Sequence, residues 1–502
     1  MIKQVRSRAR CGFLALVCCA GPVAAQEPLA ALDWLSDTVS VPPPAPPIAE
    51  QPAVTDSARP GQIVVRPLDR PIPDLIGLTD PADRGLPGDL WAESEASTLI
   101  RQVQEMRPPS LPSMQKLLHD VLTVWATPPR DSAMGQAFYL ARLDALLAMG
   151  RFQSAREMMT LAGYQDPEIF RRWFDLTILT GSETQACQRM RALPEITPTY
   201  PARIFCLARS GDWHAAAVTL ETARALGVVT LAETERLTRF LDAHSQPGLL
   251  PPPATPSPLD FLLYEAIGEP LRTPSLPLPF AHADLRPITG WMARIEAAER
   301  LARYGAVAPG DLWSIYDERK PAASGLPWDR VAAAREVARA LRADDADALT
   351  DALPRAWDLM SEAHLLPALA KMVGAKVAEL KMEGRPGRIA TRLALLAGHS
   401  ADSPDPSLAA LVERRDLPED QRDPRLAAIA AGLAEDIPQS VSALIEQNRT
   451  GEALLHAVRL VEAGAGNNLD ALTDGLSILS ATGLRDTAFR AAIELVVMDA
   501  AQ

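Results

Sequence analysis

The sequence predicts an all-α protein of short helical hairpins in two blocks, and three observations predict it. Apolar residues recur at three- and four-residue spacing, as in Met114, Leu117, Leu118, Val121, Leu122 and Trp125, while Gln115, Lys116, His119 and Asp120 fill the opposite, polar side. No comparable run of alternating β-branched residues occurs. A short pattern also repeats: Gly, Ala five residues on, then an apolar residue four further. It falls at Gly150, Ala155, Met159; at Gly181, Ala186, Met190; and at Gly211, Ala216, Leu220, spaced 31 and 30 residues apart. With 502 residues, 47% of them hydrophobic, the chain has ample apolar material for its cores.

Residues 1–25 read as a secretory signal. Lys3, Arg6, Arg8 and Arg10 form a basic start, Gly12 to Ala20 is an apolar run, and Val23-Ala24-Ala25 supplies small residues for cleavage. That run is too short for a membrane-spanning helix, which needs about 20 residues. The mature chain is therefore expected in the periplasm with no transmembrane segment. The alternative is a lipid anchor through Cys19, after Leu16-Val17-Cys18.

Residues 26–95 are interrupted by prolines such as Pro42, Pro43, Pro44, Pro46 and Pro47, which favour an extended tether. Within it, Ala30 to Leu35 is an apolar island with Trp34 and Leu35 as a candidate docking motif, and Gln62 to Arg66 suits a short strand. Residues 96–245 form the first helical block. Residues 246–285 are a second proline-rich linker, with a short helix predicted within Asp260 to Glu269. Residues 286–502 form the C-terminal block, with helix clearest at Trp291–Tyr304, Val331–Arg342, Leu365–Met382, Ile389–Leu396 and Asp486–Met498.

The repeat has a physical reading. Gly, and less often Asn, tolerates the left-handed backbone that ends one helix and turns into the next. Ala lets two helices approach, and the apolar residue one turn later fills their interface. Weaker echoes stand at Asn448, Ala453, Ala457 and at Gly483, Ala488, Ala492.

Two of the units go further and resemble the tetratricopeptide repeat. Tyr139, Leu146, Gly150, Phe152, Ala155, Met159, Ala162 and Pro167 sit at that family's spacing, with Arg142 and Leu143 departing from its Leu-Gly. Tyr200, Leu207, Gly211, Trp213, Ala216, Leu220 and Ala223 match again, with Arg203 and Ile204 departing at the same place. The middle unit has Glu183 where the family carries an aromatic. The resemblance covers about residues 135–227. It implies a right-handed α-solenoid whose concave face takes a peptide or protein partner.

Of five cysteines, Cys11, Cys18 and Cys19 lie in the signal, leaving Cys187 and Cys206. An even pair in an exported chain points to a disulfide, and their places on antiparallel neighbouring helices permit one. The alternative is two small apolar core residues.

A formal charge of −13 argues against a nucleic-acid partner, because phosphate contacts need clustered Lys and Arg. The histidines His119, His214, His244, His282, His364, His399 and His456 are dispersed, with no metal-ligand spacing. No nucleophile elbow or phosphate loop is present, so no cofactor is expected. Lytic transglycosylases share a large exported α-solenoid, but neither Glu362-Ala363-His364 nor Glu494-Leu495 has the context of a lysozyme-like acid. The expectation is a non-catalytic periplasmic scaffold for an envelope protein or peptide partner. The alternatives are a structural subunit of a secretion or motility machine, and a cell-wall lytic enzyme. A compact sheet-containing body, or a deep cavity lined with converging ionisable groups, would overturn the scaffold reading.

Overall fold

Ala, Leu and Arg, all strong helix formers, crowd the intervals between the Gly and Pro residues that delimit them. The computed structural model describes residues 72–132, 136–242, 250–321, 323–415, 417, 423–434 and 439–499, and among these the regular structure is entirely helical. The signal, Cys19, the Trp34–Leu35 motif and the strand predicted at Gln62 to Arg66 lie outside the described residues.

The first helices are α1 (Ala96–Glu105), α2 (Pro112–Thr123), α3 (Ala137–Ala148), α4 (Phe152–Ala162), α5 (Pro167–Thr180) and α6 (Glu183–Ala192). They continue as α7 (Tyr200–Arg209), α8 (Trp213–Ala225), α9 (Leu231–Leu241), α10 (Pro258–Ala266) and α11 (Ala281–Asp284). Next come α12 (Trp291–Arg303), α13 (Pro309–Asp317), α14 (Trp328–Ala343), α15 (Ala346–Glu362), α16 (Leu366–Glu379) and α17 (Gly384–Ala397). The last are α18 (Pro406–Val412), α19 (Pro424–Leu433), α20 (Gln439–Glu446), α21 (Thr450–Ala465), α22 (Leu469–Ala481) and α23 (Arg485–Asp499). Proline stands in the first turn of α2, α5, α7, α10, α13, α16, α18 and α19, where its missing N–H would have no intrahelical partner.

Sequence neighbours pack as hairpins, most extensively α7 with α8, α14 with α15, α16 with α17 and α21 with α22. The described part of the proline-rich stretch is itself packed. Ser257 and Asp260 form a capping box that starts α10, Leu259, Phe261 and Leu263 are buried, and the Tyr264 hydroxyl donates to the Pro251 carbonyl at 2.7 Å.

Among the described residues two large apolar cores result, with a small third cluster at Leu278, Ala281, Ala297 and Leu301. One holds Val331, Leu353, Trp357, Leu369 and Leu393 of α14 to α17. The other runs from Trp91 and Leu118 through the hairpins of α3 to α8 and includes Leu455 of α21 and Leu495 of α23. In a simple repeat array each unit touches only its neighbours. Here α21 packs on α1 and α2, and α23 packs on α2, across more than three hundred residues of sequence.

Hydrogen bonds secure that return. The N-terminus of α2 has no capping side chain of its own. Glu462 of α21 instead accepts from Ser110 N (2.8 Å) and Leu111 N (3.1 Å), and Glu494 of α23 accepts from Ser113 N (2.9 Å) and Ser113 Oγ (2.6 Å). Gly451 N donates to the Leu90 carbonyl at 3.1 Å, and a Cβ there would lie 2.4 Å from the Trp91 ring, so only glycine fits.

Two expectations need correction. Trp125 lies beyond the end of α2, beside an isolated parallel bridge between Thr79 and Val124, and is exposed. The polar side of α2 does not face solvent throughout, since Gln115 and Asp120 are buried. Gln115 Nε2 donates to the carbonyls of Pro109 (3.0 Å) and Arg303 (2.9 Å), tying α2 to the end of α12.

Candidate binding cavity and the hairpin array

The repeated positions occupy equivalent places. Gly150, Gly181 and Gly211 have φ of 71°, 72° and 87°, and the echoes Asn448 and Gly483 have 56° and 83°. Each begins the turn into the next helix in the left-handed conformation that the pattern requires. Ala155, Ala186, Ala216, Ala453 and Ala488 are all fully buried.

What surrounds these positions differs. At the start of the second helix, Phe152 is buried and stacks on His282 with centroids 4.0 Å apart. Glu183 is buried and accepts from Arg209 Nη2 at 2.7 Å, replacing an apolar contact with an ion pair. Trp213 is half-exposed against Phe240, so it is not the core anchor that its match to the repeat suggests.

Arg142, the departure from the family's small residue, is completely buried. Its guanidinium donates to the carbonyls of Leu122 (2.8 Å), Ile76 (2.9 Å), Val124 (3.1 Å) and Asp74 (3.3 Å). The guanidinium thereby ties residues 74–76 to the end of α2. Burial lowers the Arg142 pKa to about 10, with Tyr139 and Asp74 opposing.

Cys187 on α6 and Cys206 on α7 are at bonding distance, with Sγ atoms 1.96 Å apart and Cα atoms 5.1 Å apart. The link joins the second hairpin to the third. A surface cavity of about 410 Å³ lies against it, lined by Met190, Arg191, Arg203 and Asp212 among others.

A larger cavity, about 520 Å³, opens where α2, α4, α13, α16 and α23 converge. Its charged lining is Lys116, Arg151, Lys371 and Arg490 against Glu494, and its apolar lining includes Phe152, Val307 and Leu396. Two of these cations are occupied. Lys116 pairs with Asp120, and Arg490 donates to the Leu395 and Leu396 carbonyls and to Glu494 Oε1 at 3.2 Å. Burial raises the Glu494 pKa against the opposition of Ser113 and Arg490. Burial also pushes the Asp120 carboxyl up, but His119, Lys116 and Arg84 together hold it below its ordinary value. Arg151 makes only a 3.3 Å bond to the Tyr304 carbonyl, and Lys371 has no hydrogen bond or ion pair among the described residues.

His119 Nε2 lies 2.8 Å from Ser154 Oγ at the cavity wall. Its Nδ1 is 3.7 Å from Asp120 Oδ1, beyond hydrogen-bond reach, and Asp120 is already held by Lys116 and Arg84. The contact is a polar pair without the orienting third group of a nucleophile relay.

Sequence reasoning missed this cavity because its residues come from seven separate helices and the turn before α13. One signal was readable. Arg151 stands at the N-cap of α4, where a cation opposes the helix dipole, whereas Ser182 and Asp212 hold the same place in the next two units.

Among the described residues no helix is long and apolar enough to cross a membrane, and no three His, Cys, Asp or Glu residues gather as metal ligands. Comparison with protein families, with curated proteins and with solved structures finds no match to the chain. The functional argument therefore rests on the geometry above.

Proposed function

We propose that the chain is a non-catalytic periplasmic adaptor, a right-handed α-solenoid resembling tetratricopeptide-repeat proteins, held on a proline-rich N-terminal tether and binding an envelope protein or peptide. The observation that carries this reading is the recurrence, at 31 and 30 residues, of a left-handed Gly turn followed by a buried Ala on the next helix. Such hairpins present an extended surface of stacked helices. The Cys187–Cys206 link suits an oxidising compartment. The third hairpin and its flank also leave Tyr200, Trp213, Val218, Leu226, Val228 and Leu231 exposed, a density of large apolar side chains that favours protein contact.

The test is cross-linking in envelope extract with wild-type protein and with a Trp213→Asp, Leu231→Asp variant. The reading expects a reproducible partner that the variant loses. No partner, or one retained equally by the variant, overturns it.

A serine hydrolase is the reading that the 2.8 Å contact between Ser154 and His119 would raise, although the pair lacks an orienting third group. A fluorophosphonate probe distinguishes the two: the adaptor reading expects no labelling, and covalent labelling of Ser154 would replace it. Migration of the native protein in a large particle would favour the structural-subunit alternative.

A further inference from the structure

We propose that the cavity between α2, α4, α13, α16 and α23 binds a small organic anion, whose carboxylate or phosphate groups are held by Arg151 and Lys371 while its apolar body lies against Phe152, Val307 and Leu396. This goes beyond the adaptor reading and does not depend on it.

Charge is the first argument. The lining carries four cations and one carboxylate in a chain whose formal charge is −13. Asp120 accounts for Lys116, and Glu494 together with two helix-end carbonyls accounts for Arg490. Arg151 and Lys371 remain without a carboxylate partner among the described residues. Arg151 bears the cost of burial, which lowers its pKa against the opposing charge of Asp120. An anion beside it offsets that cost.

The second argument is the helix ends. Helices α4, α13 and α16 begin at this wall, and none has a capping side chain. Their dipoles add positive potential to that of the two side chains, most at α4 and α16, since Asp311 stands in the first turn of α13. His119, Ser154 and Gln153 add polar groups at the same wall.

Shape and lining set the ligand class. A cavity of about 520 Å³ falls within the size range of small-molecule sites. Two unpaired cations suit a diacid or a phosphate. The apolar remainder of the wall suits a carbon skeleton better than a bare inorganic ion. The Arg151 position supports the same conclusion, since a residue that opposes the local dipole is the kind of misfit that binding sites retain.

Isothermal titration of the full mature protein at low salt tests the proposal, with citrate, inorganic phosphate and uncharged glucose as probes. Citrate or phosphate should bind and raise the melting temperature, and glucose should do neither. Preference between the two anions assigns the acidic group as carboxylate or phosphate. Arg151→Gln and Lys371→Gln should each weaken binding about tenfold, and 0.5 M salt should weaken it in the wild type. Lys371 is exposed, so its variant keeps the test meaningful should the Arg151 variant fold poorly. No binding of either anion, or binding by both variants as tight as that of the wild type, overturns the proposal.

Discussion

The first and third hairpins carry the same Gly–Ala–apolar pattern and the same left-handed turn, yet they stand in opposite surroundings. A Cβ on Gly150 would lie 3.0 Å from Ala306 Cβ, 3.2 Å from Leu301 Cδ2 and 3.3 Å from His282 Nε2. A Cβ on Gly211 would meet nothing within 4 Å. The first turn is pressed between layers, with its carbonyl 2.9 Å from His282 Nε2. The third lies open and is steadied by a covalent link from α7 to α6. Their helix starts diverge as well, because Asp212 caps α8 through Ala215 N at 3.1 Å while Arg151 caps nothing in α4. A repeat pattern therefore specifies the hairpin but not the neighbour it meets.

The largest test of that contrast is a pair of substitutions. Gly150→Ala should cost about 4 kcal/mol, combining left-handed strain with overpacking. Gly211→Ala should cost only about 1 kcal/mol from strain. Urea unfolding of both variants measures the difference, and equal costs would remove the distinction between the hairpins.

Next is the covalent link. Replacing Cys187 and Cys206 with Ala should cost about 3 kcal/mol, the value expected from closing a loop of this length. Preferential proteolysis within the second and third hairpins, rather than the first, would locate the loss.

A pH titration probes the buried side of the contrast. Burial lowers the His282 pKa from 6.5 to about 4, opposed by its hydrogen bond with the Gly150 carbonyl. The folded state thus favours neutral imidazole, and the unfolded chain takes up the proton first. The contribution is complete above pH 6.5 and is lost progressively as the pH falls to about 4. His282→Phe should flatten the stability profile in that window, and an unchanged slope would show that His282 is not responsible.

The smallest effect concerns the helix starts. Arg151→Asp should stabilise α4 by about 1 kcal/mol through capping, and Asp212→Arg should destabilise α8 by a similar amount. Circular-dichroism melts of the two variants should therefore shift in opposite directions. In the first variant, anion binding to the cavity should be lost as stability rises.

Much of the local architecture was legible. Helices predicted at Trp291–Tyr304 and Asp486–Met498 are observed at Trp291–Arg303 and Arg485–Asp499, because apolar spacing is a local property. The Cys187–Cys206 pairing was legible because the two residues fall on consecutive helices. The cavity was not, because the polar face of α2 reads as a solvated face until other helices cover it. Gln115 is buried where the end of α12 meets that side, and Asp120 where Arg84 from the segment before α1 reaches it.

The sequence by itself determined where helices begin, turn and end, since those choices depend on Gly, Pro and apolar spacing within a few residues. Tertiary structure alone decided that Glu462 and Glu494 cap a helix more than three hundred residues away, and that Arg151 and Lys371 share one concavity. Capping groups and charges act through space over a few ångströms, and only folding brings such distant residues that close.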